Sequence, residues 1–262
     1  MRVLRRLSSW RHGFWLKVSE SLRFSRGVKR EPPALTLSLP AAQQLRARQL
    51  AERFGVCFET RFSAKTSLNN YEYLDLLERG FAAAGISPPQ PRVLTDVGSA
   101  SFWYGPALAA FFRPAALVGI ELEGHRLFRD WHTRIDYARG YLTELPFAEF
   151  VIADYSSYVR PADLITAIFP FLTEHSVLAW RLPLTVLSPG RLFSRIASNL
   201  TADGLFFMIN HGPTEARLAH QCCIAAGLRL RASWAGEGDF SGHRLEPAML
   251  SWWAPGSALN LG

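Results

Sequence analysis

A chain of 262 residues, 48% hydrophobic and 19% charged, can bury a substantial core, and its composition excludes a disordered protein. The formal charge of +7 is unevenly placed: residues 1–30 hold nine Lys/Arg against Glu20 alone, a local +8, so residues 31–262 sum to about −1. The basicity therefore describes an arm and not the body. Three cysteines, Cys57 and the neighbours Cys222 and Cys223, give neither an even disulfide framework nor a spaced metal set, which points to a reducing compartment.

The arm comes first. Val3, Leu7, Trp10, Phe14, Val18 and Leu22 recur at helical spacing with arginines on the remaining faces, which predicts a basic amphipathic helix. Such a helix suits an anionic membrane surface, nucleic-acid phosphates or a partner protein, and equally well packing on its own domain. No apolar run of secretory or transmembrane type is present. The expected location is the cytoplasm, with residues 1–30 available for peripheral contact at the inner face of a membrane or with nucleic acid. Pro32-Pro33 closes this first unit, residues 1–31.

Residues 32–90 read as a helical cap. Ala41 to Phe54 carries Leu45, Leu50 and Phe54 with Gly55 as a stop. A second helix is expected from near Ser67 or Asn69 through Tyr71, Leu74, Leu77 and Phe81 to Gly85. Ser87-Pro-Pro-Gln-Pro91 is a stiff boundary before the last unit, residues 91–262.

From Val93 onward strands and helices alternate, which predicts a mostly parallel, Rossmann-like α/β sheet with helices on both faces. Strands are expected at 93–94, 116–120, 150–153, 164–168, 205–209, 228–235 and 248–253. Helices are expected at 107–112, from His125 through Phe128 and Trp131 to Tyr137, at 192–200 and at 215–226. Asp203-Gly204 is read as the turn before the fifth strand. The connection from Thr173 to Pro189 is long for a strand-to-helix link, and such loops form a lid or a substrate wall.

The stretch from Val93 to Pro106 organises the rest: a buried strand, Asp96 at its end, four small residues (Gly98, Ser99, Ala100, Ser101), then a helix with Pro106 in its first turn. Strand, tight turn and helix start bring backbone N–H groups to one point, as α/β proteins do for nucleotide-bearing ligands. This stretch resembles the first motif of class I S-adenosylmethionine-dependent methyltransferases, an acid followed by x-G-x-G-x-G. Asp96 and Gly98 match; Ala100 and Phe102 stand where the motif usually has glycine, and Phe102 is bulky where the cofactor's methionine part approaches. Glu121 after the second strand and Asp154 after the third follow in the family's order. Leu200-Thr-Ala-Asp-Gly-Leu-Phe-Phe-Met-Ile209 resembles its helix–turn–fifth strand.

The resemblance implies S-adenosyl-L-methionine as cofactor, bound by Asp96, Gly98, Ser99 and Ala100, with Glu121 on the ribose hydroxyls and Asp154 on the adenine amino group. Carboxylates are pure acceptors and those groups are donors, so the chemistry is matched. Glu123 competes with Glu121 for the same place. The substrate-facing stretch would be Ile168-Phe-Pro-Phe-Leu-Thr-Glu-His-Ser176, where Phe169 and Phe171 suit a sulfonium and Glu174 and His175 are the nearest candidate bases. It is not the Asn/Asp-Pro-Pro-Tyr signature of base methylation, so the methyl acceptor stays unidentified. A catalytically inactive scaffold and an NAD(P)-dependent oxidoreductase remain as alternatives; the first is favoured by Ala100 and Phe102, and the second lacks G-x-G-x-x-G spacing. His125 and His132 have no third metal ligand nearby, and no G-x-S-x-G elbow or Walker lysine occurs.

Overall fold

Five parallel strands form the body of one sheet: β1 (Val93–Val97), β2 (Ala116–Glu121), β3 (Ala148–Ile152), β4 (Ala162–Ile168) and β5 (Leu200–His211). They lie in the order β3-β2-β1-β4-β5, and an antiparallel strand β7 (Ala248–Pro255) then joins β5 to the edge strand β6 (Leu228–Gly236). The computed structural model describes residues 2–240 and 246–256, with side chains from Leu4 onward. The chain winds outward from β1 to β3 and returns to start again at β4. The carboxyl ends of β1 and β4 are therefore a topological switch point, where doubly wound sheets bind ligands.

Strand alternation sorts the apolar side chains to two faces. Leu94, Leu117, Leu164, Phe207 and Trp252 face one core, shared with α3 (Ala64–Ala84) and α4 (Gly105–Phe112). Ile165, Phe206, Met208 and Trp253 face the other, against α7 (Pro189–Asn199) and α8 (Gly212–Ala225). The Rossmann-like class is as expected. Helix α2 (Ala41–Phe54) is tied to α3 by Arg46, which donates to the fully buried Asp75 at 2.7 Å and to Glu78.

Three local expectations are corrected. No helix forms through His125, Phe128 and Trp131: α5 (Arg134–Leu142) starts only behind a Thr133/Asp136 capping box, and Trp131 has φ +62°. The cap at Thr133 sets the boundary, and the aromatic residues before it cover a loop. Helix α3 starts at Ala64 and not near Ser67, because Ser63 accepts from Thr66 N as its N-cap. Asp203-Gly204 lies within β5, in a register shift between the pairs Ala162–Leu200 and Leu164–Leu205.

Helix α1 (Arg2–Leu22) forms as expected, with an unexpected face turned inward. His12 and Leu16 are buried and Ser8, Ser9, Gly13 and Ser19 half-buried, whereas Leu7, Trp10, Phe14 and Leu22 of the apolar stripe are exposed. The side chain of Val3, the stripe's first member, lies outside the described residues. The inner face sits on the chain between α6 (Glu174–Ala179) and the 3-10 turn Leu184–Val186: Ser9 Oγ accepts from Leu184 N at 2.8 Å, and Arg5 pairs with Glu174 at 3.1 Å. Among the described residues no helix is long and apolar enough to cross a membrane.

Candidate functional site

The turn after β1 is built from left-handed residues. Gly98, Ala100 and Phe102 have φ of +75°, +50° and +62°. Glycine takes this conformation freely; at Ala100 and Phe102 it costs on the order of 1 kcal/mol each. A dense set of hydrogen bonds holds it: Gly98 N and Ser99 N donate to Ile120 O (2.9 and 3.0 Å), Ser99 Oγ to Asp96 O (2.9 Å), and Ala100 N to Glu121 Oε2 (2.8 Å).

Phe102 does not fill the space above the turn. Its ring is fully buried and points down into the core, between β2 and the start of α4. Two glycines make room for it: a Cβ at Gly119 would come within 2.9 Å of the ring, and one at Gly105 within 3.1 Å. Above Gly98 a Cβ would meet nothing within 4 Å. The bulky departure from the glycine motif thus leaves the approach to the backbone open.

A cavity of about 330 Å³ occupies the switch point. Gly98 and Ala100 line it from the turn, Glu121 from the end of β2 and Asp154 from the end of β3. Beyond β4 it is walled by Phe169 and Phe171, and the lid segment, bearing Trp180, Leu182 and Val186, lines it as well. Ser99 is buried beneath the turn, and Asp96 lies one layer down, outside the lining. The Asp96 carboxylate accepts from Thr166 Oγ1 (2.6 Å) and Tyr104 OH (2.8 Å). Burial pushes its pKa up to about 6 even so.

Glu121 is the best-connected acid of the cavity wall. Its Oε1 accepts from Glu123 N (3.0 Å) and Arg134 Nη1 (2.9 Å), while Oε2 takes Ala100 N. Arg134 is itself buried, lies 3.4 Å from Glu123 Oε2, and has its guanidinium 5.2 Å over the Trp180 ring. Arg126 joins Glu123 (3.2 Å) to Trp180 O (2.8 Å). Two carboxylates and two guanidinium groups therefore link the strand end to the lid. Glu123, whose pKa is raised by burial against the pull of Arg134 and Arg126, does not line the cavity; Glu121 does. Asp154 is exposed and accepts from Ser156 N at 2.8 Å.

Glu174 and His175 are not brought to the cavity, which corrects their reading as candidate bases. Both are exposed on α6 and outside the lining, with Glu174 held by Arg5. The titratable groups that line the far wall are His211, at the end of β5, and Glu215, in the first turn of α8. The His211 ring stacks on Phe169 at 3.7 Å; Glu215 accepts from His211 N at 2.8 Å and is shifted upward by burial. Nothing in the sequence singled them out, nor Arg134, because each reaches the site only through the crossing of strands. Among the described residues no group of three His, Cys, Asp or Glu could hold a metal ion.

No protein-family model and no curated protein matches the chain. Solved structures resemble it in architecture. TrmN from Thermus thermophilus is 13% identical with a TM-score of 0.47, covering 67% of this chain; the chain spans 46% of that structure's length. A S-adenosylmethionine-dependent methyltransferase from Clostridium acetobutylicum is 8% identical with a TM-score of 0.47, over 82% of this chain and 99% of its own. A SAM dependent methyltransferase from Aquifex aeolicus is 13% identical with a TM-score of 0.49, over 69% and 90%.

Proposed function

We propose that the protein is a class I S-adenosyl-L-methionine-dependent methyltransferase, in the cytoplasm, acting on an acceptor not yet identified. One observation carries this reading: Gly98, Ala100, Glu121 and Asp154, from three loops, converge on a single cavity at the switch point. The donor groups of an adenosine find acceptors there. Glu121 would take the ribose hydroxyls and Asp154 the exocyclic amine, while the open face of Gly98 admits the ligand to the backbone. Phe169, Phe171 and Trp180 offer aromatic faces to a sulfonium.

When bound, the cofactor supplies an electrophilic methyl group. The chain's own part is to orient the acceptor against it, to exclude water with the segment from Thr173 to Pro189, and to accept a proton where the acceptor carries one. We assign that proton to His211 and Glu215, which line the cavity, in the role first expected of Glu174 and His175. The cytoplasmic assignment rests on three unbridged cysteines, the state kept in a reducing compartment.

A second reading, an inactive scaffold, is favoured by Arg134, which already satisfies Glu121. Titration calorimetry of the purified protein with S-adenosylhomocysteine, and in parallel with NADP, separates the readings. Micromolar binding of the first alone supports the proposal; binding of neither supports the scaffold, and binding of NADP alone the oxidoreductase.

A further inference from the structure

Helix α1 turns its polar side to the protein and its apolar side to water, the reverse of an ordinary surface helix. Inward lie Ser8, Ser9, His12 and Ser19 around Leu16. Outward lie Leu4, Leu7, Trp10, Phe14, Trp15 and Leu22, each between 52% and 73% exposed. The aromatic rings form one continuous patch, with Trp10 6.4 Å from Phe14 and Phe14 5.5 Å from Trp15. A folded protein gains nothing from leaving such a patch in water, so something covers it.

Charge decides what. Arg6, Arg11 and Lys17 are exposed along the same helix, and Glu20 is its only acid. A second copy of the chain laid on this face by a two-fold axis would set those cations against their own images. Nucleic acid needs the cations and has no use for two tryptophans, a phenylalanine and three leucines on one side of the helix. Moreover, part of the arm's charge is spent on the protein itself, Arg5 on Glu174 (3.1 Å) and Lys29 on Asp130 (3.3 Å). An anionic bilayer satisfies both halves of the face: acyl chains take the apolar side chains, headgroups take the arginines and lysine, and indoles settle at the boundary.

We propose that α1 is an interfacial anchor that lays its stripe from Leu4 to Leu22 into the headgroup region of an anionic membrane. Its opposite face holds the lid segment through Ser9 and Arg5, so docking sets the lid of the cavity beside the membrane. Co-sedimentation of the full-length protein with vesicles of phosphatidylcholine, alone or mixed with phosphatidylglycerol, tests this directly. The expected result is binding to the mixed vesicles at least about tenfold tighter than to the neutral ones, weakened by salt.

Trp10→Ser with Phe14→Ser should weaken binding to mixed vesicles by at least about tenfold, since each aromatic burial is worth more than one decade. These side chains are exposed, so circular dichroism should stay unchanged. Binding to neither vesicle, equal binding to both, or full binding by the double variant overturns the proposal. So does a wild-type protein that shifts RNA on a gel but ignores vesicles, or a dimer on size exclusion that the double variant abolishes.

Discussion

Replacing Glu121 by Gln tests the site at its most connected point. The amide keeps the volume and one acceptor oxygen, but loses the charge that faces Arg134 at 2.9 Å and aims an N–H₂ at one of three donors. Breaking a buried ion pair costs about 3–5 kcal/mol. Here Glu123, 3.4 Å from Arg134, keeps part of the compensation, so about 2–3 kcal/mol of stability should go. Ligand affinity falls for a separate reason. A hydrogen bond to a charged acceptor is worth about 1.5–3 kcal/mol against about 0.5–1.5 for a neutral one, so the two hydroxyls of a ribose diol together gain about 2–3 kcal/mol from the charge. In the free protein Arg134 occupies that acceptor and must be displaced, so the loss should sit low in that range. About 2 kcal/mol, or ~30-fold weaker S-adenosylhomocysteine binding, is the expected figure. Calorimetry at a temperature where urea titration shows the variant fully folded gives both numbers. Wild-type affinity in a folded, destabilised Glu121→Gln protein would refute the ribose role and leave Glu121 as a structural partner of Arg134.

Gly98→Val puts a β-branched side chain at φ +75° and into the open space over the turn, so S-adenosylhomocysteine binding should disappear while far-UV circular dichroism stays near native; retained binding would move the ligand elsewhere. Phe102→Ala empties the space between Gly119 and Gly105 and should cost about 3–5 kcal/mol in urea unfolding, whereas a loss below about 1 kcal/mol would mean the ring supports nothing. For Asp96 the folded pKa is raised from 3.8 to about 6, so between those values the native state holds more proton than the unfolded chain and stability falls as pH rises. The full contribution, up to about 3 kcal/mol, is present below about pH 4 and lost through pH 6. Glu123 and Glu215 shift the same way, so the wild-type slope is compared with that of Asp96→Asn, which should be flatter; parallel slopes would contradict the raised pKa.

What the sequence could disclose depended on how local the cause was. Strands β1, β2, β4 and β5 announce themselves as apolar runs, because both faces of each are buried, and acids following the strands mark the edge where the cavity lies. Glu121 and Asp154 were legible for that reason. Arg134 was not: as the first residue of a helix it looks like any solvated arginine, and only the parallel neighbour β2 brings Glu121 to it. His211 and Glu215 come to the cavity because β5 lies beside β4, and Glu174 and His175 leave it because α6 turns them outward, facts of topology in both cases. In α1 the periodicity identified which residues share a face. It could not say which face the protein would choose, and the protein chose the serines.

Phe102 shows how a turn can hold a left-handed backbone without glycine. The turn needs three left-handed residues, and glycine supplies them at no cost; Ala100 and Phe102 are strained and are held in place, Ala100 N by Glu121 Oε2 and Phe102 N by Ser99 O. The ring itself is received opposite the turn by Gly105 and Gly119, where a Cβ would crowd it. Ala100 N is held by the same carboxylate that Arg134 clamps, and Arg134 stacks on Trp180 of the lid. Turn, strand end and lid therefore share one acid. A ligand that takes Glu121 must loosen Arg134 and with it the ring that closes the cavity, so a free energy spent at the ribose end is felt at the lid.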